Sequence, residues 1–391
     1  MGQAVDISDP AEKTTFGGKT GGMSNAKTDG TFDGIRAEEL GASGVRILSV
    51  GWATPPTSYT QREVLDMFRV TDPRVRSIFL NSAIERRCLT LPEPGPDGTP
   101  SPESQGELLR KHRVQGLDMG GRAVQNALKN AGVDLGDVDY LCCVTTTGLL
   151  TPGFSALLIR ELGLRSDCSR LDVVGMGCNA GLNALTAVVG WAAAHPGRTA
   201  VMLCTEACSA AYVFDGTMRT SVVNSLFGDG AAAVVVQAAP EAPREGPQVL
   251  RFASCLIPEA IDAMRYDWDD QAGKFSFYLD RDVPYVVGAH AELVVDRLLA
   301  GTGVRRSEVA QWIVHSGGKK VIDAVMVNLG LTRHDLRHTT GVLRDFGNLS
   351  SGSFLFSYGR LLDEGVLEKG DHVVFMTMGP GSTIETALLR V

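Results

Sequence analysis

The stretch that decides the fold is Leu171-Asp172-Val173-Val174-Gly175-Met176-Gly177-Cys178-Asn179-Ala180-Gly181. An apolar, β-branched run over 171–176 reads as a strand, and a helical pattern follows over 179–194. Gly175 and Gly177 permit the sharp turn between them. Strand, glycine turn and helix make the building unit of layered α/β proteins. Cys178 lies at the turn, where the unpaired N–H groups and positive dipole end of the helix are expected to lower its pKa and make thiolate available. The other seven cysteines lack this setting and read as small buried hydrophobes.

Working outward, strand patterns over 45–50, 139–146, 199–205, 230–237, 251–256, 311–315 and 372–378 alternate with helix patterns over 117–131, 286–300, 320–329 and 353–362. The series contains an echo. Gly132-Val133-Asp134-Leu135-Gly136-Asp137-Val138 leads into one strand, and Gly303-Val304-Arg305-Arg306-Ser307-Glu308-Val309 leads into another in the same phase. Later in each half a glycine turn opens a helix, at Gly177-Cys178-Asn179 and at Gly347-Asn348-Leu349, and a buried-strand run follows at 199–204 and 372–377. Three matches in one order point to two homologous halves, 44–245 and 246–391, related by a pseudo-twofold that brings Cys178 and Asn348 together. Residues 1–43, rich in Gly, Lys, Thr, Ser and Asp without apolar periodicity, read as a disordered leader or tag.

Composition narrows the chemistry. A formal charge of −8 argues against nucleic acid, whose binding needs a basic face. No apolar stretch approaches a membrane span, and no signal-peptide pattern follows Met1. Eight cysteines without regular spacing fit a reducing, cytoplasmic setting better than a disulfide framework. Adjacent Cys142 and Cys143 would point to opposite faces of a strand, and Cys204 and Cys208 have no matching pair, so no metal is expected.

Two further residues join Cys178. His315 closes the strand Trp312-Ile313-Val314 above the turn Ser316-Gly317-Gly318, at the edge where α/β sheets place their sites. Its counterpart in the first half is Val144, so the second half carries a polar group where the first has none. Asn348 would supply an amide donor. Cys, His and Asn together serve papain-like hydrolysis or thioester condensation; the duplicated α/β halves and the absence of a Cys-Gly-Ser-Cys-Trp run favour condensation.

Gly175-Met176-Gly177-Cys178-Asn179-Ala180-Gly181, Leu226-Phe227-Gly228-Asp229-Gly230-Ala231, Val314-His315-Ser316-Gly317-Gly318, Gly347-Asn348-Leu349-Ser350-Ser351-Gly352 and Gly379-Pro380-Gly381 resemble the type III polyketide synthase, or chalcone synthase-like, family. The resemblance covers residues 45 to 391. It implies a thiolase-like fold of duplicated αβαβα layers and a homodimer that uses CoA thioesters, malonyl-CoA first among them, without a cofactor or metal. It makes Cys178 the acyl-carrying nucleophile, with His315 and Asn348 holding the malonyl thioester carbonyl during loss of carbon dioxide. Phe227 and Phe277 match the two gatekeeper phenylalanines, and Ala211, Trp268 and Ser350 fall at cavity positions, where a bulky Trp268 would shrink the space and disfavour an aromatic starter. Arg74, Arg76, Lys319 and Lys320, with Gly317 and Gly318, are the expected CoA-binding set, and Thr151 falls where the family reaches into the partner's site. Four malonyl units would give a short tetraketide, with hydratase-like proteins as pathway partners. A ketoacyl synthase III-like initiator shares the three residues but takes carrier-protein malonyl units.

Overall fold

The computed structural model describes residues 37–39, 44–212, 215–238 and 245–391. Nine strands carry the architecture: β1 (Val45–Ala53), β2 (Val138–Thr145), β3 (Ser169–Val174), β4 (Thr199–Glu206), β5 (Gly230–Ala238), β6 (Gln248–Leu256), β7 (Val309–Val314), β8 (His372–Gly379) and β9 (Thr383–Arg390). They lie in the order β7-β8-β9-β6-β1-β5-β4-β2-β3. Six helices pack on them: α1 (Gln105–Ala131), α2 (Ala180–Ala194), α3 (Val283–Leu299), α4 (Lys319–Leu329), α5 (Arg337–Phe346) and α6 (Ser353–Glu364).

The strand order is written twice. Within the first five strands it runs 3-2-4-5-1, and in the last four it runs 2-4-5-1 when β6, β7, β8 and β9 are matched to β1, β2, β4 and β5. Among the described residues one strand pair, Arg46 with Gln248, joins the two series. Among the described residues the second series has no counterpart of β3, and β7 is an edge strand. Each series is entered alike: a long helix, a positive-φ glycine (Gly132, or Gly301 and Gly303), a single 3-10 turn (Leu135–Asp137 or Arg306–Glu308), then the strand.

Helix α1 covers the outer face of β1, β4 and β5, while α3 covers β6 and β9. Helices α2 and α6 lie between the two halves and touch strands of both. The result is five layers, αβαβα, and the fold is that of the thiolases. The pattern of side chains explains the layering. α2 is apolar on nearly every side, with Leu182, Leu185, Val188 and Val189 fully buried, as a helix covered on both faces must be. α1 is amphipathic and begins with a Ser104–Glu107 capping box, a feature worth about 1 kcal/mol. Cys142 belongs to the central core and Cys143 to the outer one, the opposite-face placement expected of neighbours in a strand.

Two expectations need correction. Most of 1–43 lies outside the described residues, but Ala37–Glu39, assigned there to an unstructured leader, is a strand pairing with Arg251–Ala253. β6 meets β1 at one residue pair only, which leaves this part of its backbone edge open to pairing. The strand expected over 171–176 ends at Val174, because Gly175 and Gly177 take positive φ and turn the chain toward α2.

Candidate active site

Cys178 sits two residues before α2, on a turn that only glycine can make. A Cβ on Gly177 would fall 2.2 Å from the Pro380 ring, so the Gly379-Pro380-Gly381 loop packs directly on the nucleophile turn. A Cβ on Gly181 would fall 2.4 Å from the Ser351 carbonyl oxygen, so the beginnings of α2 and α6 touch. That contact brings Cys178 to Ser350, whose hydroxyl lies 3.7 Å from the sulfur, and close enough to the Asn348 side chain for it to favour the thiolate.

The Asn348 amide is held in one orientation. Its Oδ1 accepts from the Ser350 N–H (2.8 Å) and the Ser353 hydroxyl (3.4 Å), which leaves Nδ2 as the outward donor. Nδ2 makes only a long contact, 3.5 Å, to the Gly317 carbonyl oxygen in the loop after His315. The amide therefore lies between Cys178 and the histidine loop. His315 follows β7, its N–H bonded to the Met376 carbonyl at 2.8 Å, and its Nδ1 is buried without a hydrogen-bond partner.

The electrostatics reverse one expectation. Burial pushes the Cys178 thiol up to about 12, against the opposing hydrogen bonds from Ser350 and Asn348, and the buried Glu206 pushes the same way. The helix start does not win, because Cys178 is 9% exposed and loses more hydration than the dipole returns. Burial also lowers His315 to about 3. Taken singly, both groups are neutral at pH 7.

The two phenylalanines expected as gatekeepers flank the thiol. Phe227 packs with Cys178, Cys208, Tyr212 and Val223, and Phe277 and half-buried Ala211 lean on that cluster. Phe227 and Phe277 meet edge to face at 6.3 Å. Cys208, Tyr212 and Phe227 also line a cavity of about 410 Å³. Val223, Phe277 and Leu279 line a second of about 590 Å³. One phenylalanine thus borders each space.

Trp268 lines the second cavity with Val223, Phe277 and Leu279 but does not join the cluster around Cys178. In the hairpin Met264–Asp269 with Lys274–Leu279, Trp268 pairs with Phe275 near the turn while Tyr266 pairs with Phe277 one step inward. Trp268 is half exposed and closes edge to face on Phe275 at 5.1 Å, away from the cluster around the thiol. The aromatics that touch the two phenylalanines are buried Tyr212, stacked 4.0 Å from Phe227, and exposed Tyr266, 5.1 Å from Phe277. Aromatics at alternate positions, 266 and 268 facing 275 and 277, marked one face of a ribbon in the sequence; register decides which of them goes inward.

Sequence reasoning missed Glu206. It is fully buried and accepts from the Thr146 N–H (2.9 Å), the Thr146 hydroxyl (3.1 Å) and the Ser351 hydroxyl. Thr146 in turn meets the Ser350 hydroxyl at 2.9 Å, so a polar chain links Glu206 to the residue beside Cys178. Burial raises its carboxyl above the ordinary range despite these donors. A lone carboxylate closing the apolar run Thr199–Glu206 was the available signal.

The expected CoA-binding residues are spread over two helices. Arg74 pairs with Asp72 (2.9 Å) and Arg76 with Asp66 (3.4 Å) on or beside the helix Pro73–Leu80. Lys319 pairs with Asp323 on α4, and exposed Lys320 follows it. Gly318 caps that helix at φ 136°. Thr151 is exposed in the loop after β2. Among the described residues no three side chains are grouped as a metal site, and no helix is long and apolar enough to cross a membrane.

A thiolase fold with a buried Cys beside an oriented Asn and a histidine loop defines an acyl-transferring condensing enzyme. Residues 76–315 match the FAE1/type III polyketide synthase-like family, and 252–391 match the C-terminal domain of chalcone and stilbene synthases. The chain belongs to the type III polyketide synthase family. It is 67% identical to the 3,5-dihydroxyphenylacetyl-CoA synthase of Streptomyces toyocaensis over 88% of this chain and 90% of the relative. It is 31% identical to the 1,3,6,8-tetrahydroxynaphthalene synthase of Streptomyces peucetius subsp. caesius, over 89% and 93%. The crystal structure of 1,3,6,8-tetrahydroxynaphthalene synthase from Streptomyces coelicolor A3(2) superposes with a TM-score of 0.80 at 28% identity, over 88% of this chain and 99% of that one.

Proposed function

We propose that this chain condenses four molecules of malonyl-CoA into 3,5-dihydroxyphenylacetyl-CoA, an antibiotic precursor. The observation that carries the reading is the 67% identity to a synthase of that name, sustained over nearly the whole of both chains. The chemistry is consistent with the site. Cys178 ionises together with His315, attacks malonyl-CoA and releases CoA, which leaves malonyl on sulfur. A second malonyl-CoA loses carbon dioxide while His315 and Asn348 hold its thioester oxygen, and the enolate carbon displaces the acyl group from Cys178.

Three such extensions give an eight-carbon chain that still bears the starter's carboxylate. The methylene C8, activated on both sides, attacks the C3 ketone; loss of that carboxylate as carbon dioxide and of water leaves a ring of C3 to C8 with hydroxyls at C5 and C7. The balance is four malonyl-CoA to one product thioester, three CoA, four carbon dioxide and one water. Hydratase-like partner proteins would speed the loss of water. Arg74, Arg76, Lys319 and Lys320 would meet the CoA phosphates. The active assembly in this reading is a cytoplasmic homodimer joined along β3, an edge strand with Leu171 and Val174 exposed; a monomer in sedimentation equilibrium would remove that part.

Mass spectrometry of the products from malonyl-CoA alone tests the function. The expected result is 3,5-dihydroxyphenylacetate or its CoA ester, formed slowly without partners. A chain inert until given an acetyl, benzoyl or long-chain acyl starter, and then releasing resorcinols or pyrones, would overturn the product while leaving the family unchanged.

A further inference from the structure

We infer that Thr339 is a positioning residue for His315, standing in for the strand that the second half of the sheet lacks. In the first half the strand equivalent to β7 is β2, and its Val144, the counterpart of His315, is held on both sides, by Val173 of β3 and by Cys204 of β4. In the second half β7, among the described residues, pairs with β8 on one side only. The His315 N–H points to β8 and bonds the Met376 carbonyl. Backbone groups alternate along a strand, so the N–H and carbonyl of Val314 point off the open edge.

Both are taken up by one hydroxyl. Thr339 Oγ1 accepts from the Val314 N–H at 3.1 Å and donates to the Val314 carbonyl oxygen at 2.9 Å, and Thr339 is fully buried. The residue immediately before the histidine is thus pinned by a side chain of α5. The same helix ends at Phe346 and delivers Gly347 and Asn348 to the site. It is fastened to α6 at both ends, by Arg337 with Glu364 and by Arg360 with Asp345. One rigid element therefore sets the spacing between the histidine and the amide that must grip the same thioester oxygen. Without the hydroxyl, two backbone groups beside His315 would lose their partners, and the end of β7 would shift to find others.

The inference rests on His315 acting on malonyl-CoA, so its test uses two readouts, one of which needs no substrate. Thr339→Val keeps the shape and removes both hydrogen bonds; Thr339→Ser keeps them. In Thr339→Val the kcat for malonyl-CoA decarboxylation is expected to fall about 100-fold with KM little changed, the scale of a misplacement near 1 Å. The pH dependence of Cys178 alkylation by iodoacetamide should move to higher pH in the same variant. Thr339→Ser should restore both. If Thr339→Val does not fold, Thr339→Cys, with its weak hydrogen-bonding thiol, is compared with Thr339→Ser and should show the deficit. Loss of thermal stability alone, with decarboxylation and the alkylation profile as in the parent, overturns the inference, as does equal behaviour of the Ser and Cys variants. A parent that alkylates normally but leaves malonyl-CoA intact overturns the proposed function instead, and the alkylation comparison still decides Thr339.

Discussion

Cys178→Ala is expected to abolish polyketide formation, with a loss of about 10⁴-fold or more, since removal of a covalent nucleophile leaves only binding and polarisation. The same residue should be the site at which iodoacetamide inactivates the enzyme, and peptide mapping checks it. In the proposed mechanism the thiolate arises by proton transfer to His315. A thiol pushed up to about 12 has a thiolate fraction on the order of 10⁻⁵ at neutral pH, and an imidazole lowered to about 3 does not take up a proton from water there. In that mechanism, moving the proton from sulfur to ring would create two opposite charges within one buried site, where their attraction far exceeds its value in water. His315→Ala should therefore slow alkylation of Cys178 near pH 7 by roughly 100-fold and move its pH dependence to the alkaline side, toward the value of the isolated buried thiol. Alkylation of His315→Ala at the parent rate would show that the thiolate owes nothing to the histidine, and a condensing Cys178→Ala variant would remove the nucleophile assignment.

Asn348→Asp should cost decarboxylation about 100- to 1000-fold, the loss expected for one donor aimed at a developing oxyanion. Aspartate is the informative change. It keeps an oxygen to accept from the Ser350 N–H and the Ser353 hydroxyl, so the local turn is held, but it replaces the outward Nδ2 donor by an acceptor. Asn348→Ala removes both functions and cannot separate them. Acyl loading of Cys178, followed in a single turnover, should fall much less than release of carbon dioxide from malonyl-CoA. If the two fall together, the amide serves the nucleophile rather than the malonyl oxygen; if decarboxylation is unchanged, it serves neither.

The reading of the Cys178 turn carried over because it is local. Strand, paired glycines and helix follow one another within eleven residues, and no distant contact is needed to recognise them. The repeat was legible for the same reason, each half spelling out its own helix, glycine and strand. Cys178 and Asn348 were matched through that repeat, and the touching starts of α2 and α6 place them together. Trp268 was expected at a cavity position and lines the second cavity beside Phe277, while register with Phe275, set by the hairpin turn, keeps it out of the cluster around Cys178. The direction of the Cys178 shift was misjudged because a helix start is visible in sequence and burial from five layers is not.

By itself the sequence determined the α/β layering and the duplication and singled out Cys178, His315 and Asn348 as candidates, since periodicity, glycine turns and motif order are properties of neighbouring positions. Only the tertiary structure decided what those residues meet. Glu206 and Ser350 are separated by more than a hundred residues and joined through Thr146. Thr339 reaches Val314 because β7 lacks an outer neighbour, a fact of strand order rather than of either segment. The protonation of Cys178 and His315 likewise depends on how much water the packed layers exclude, and desolvation is a sum over every element that closes around a group.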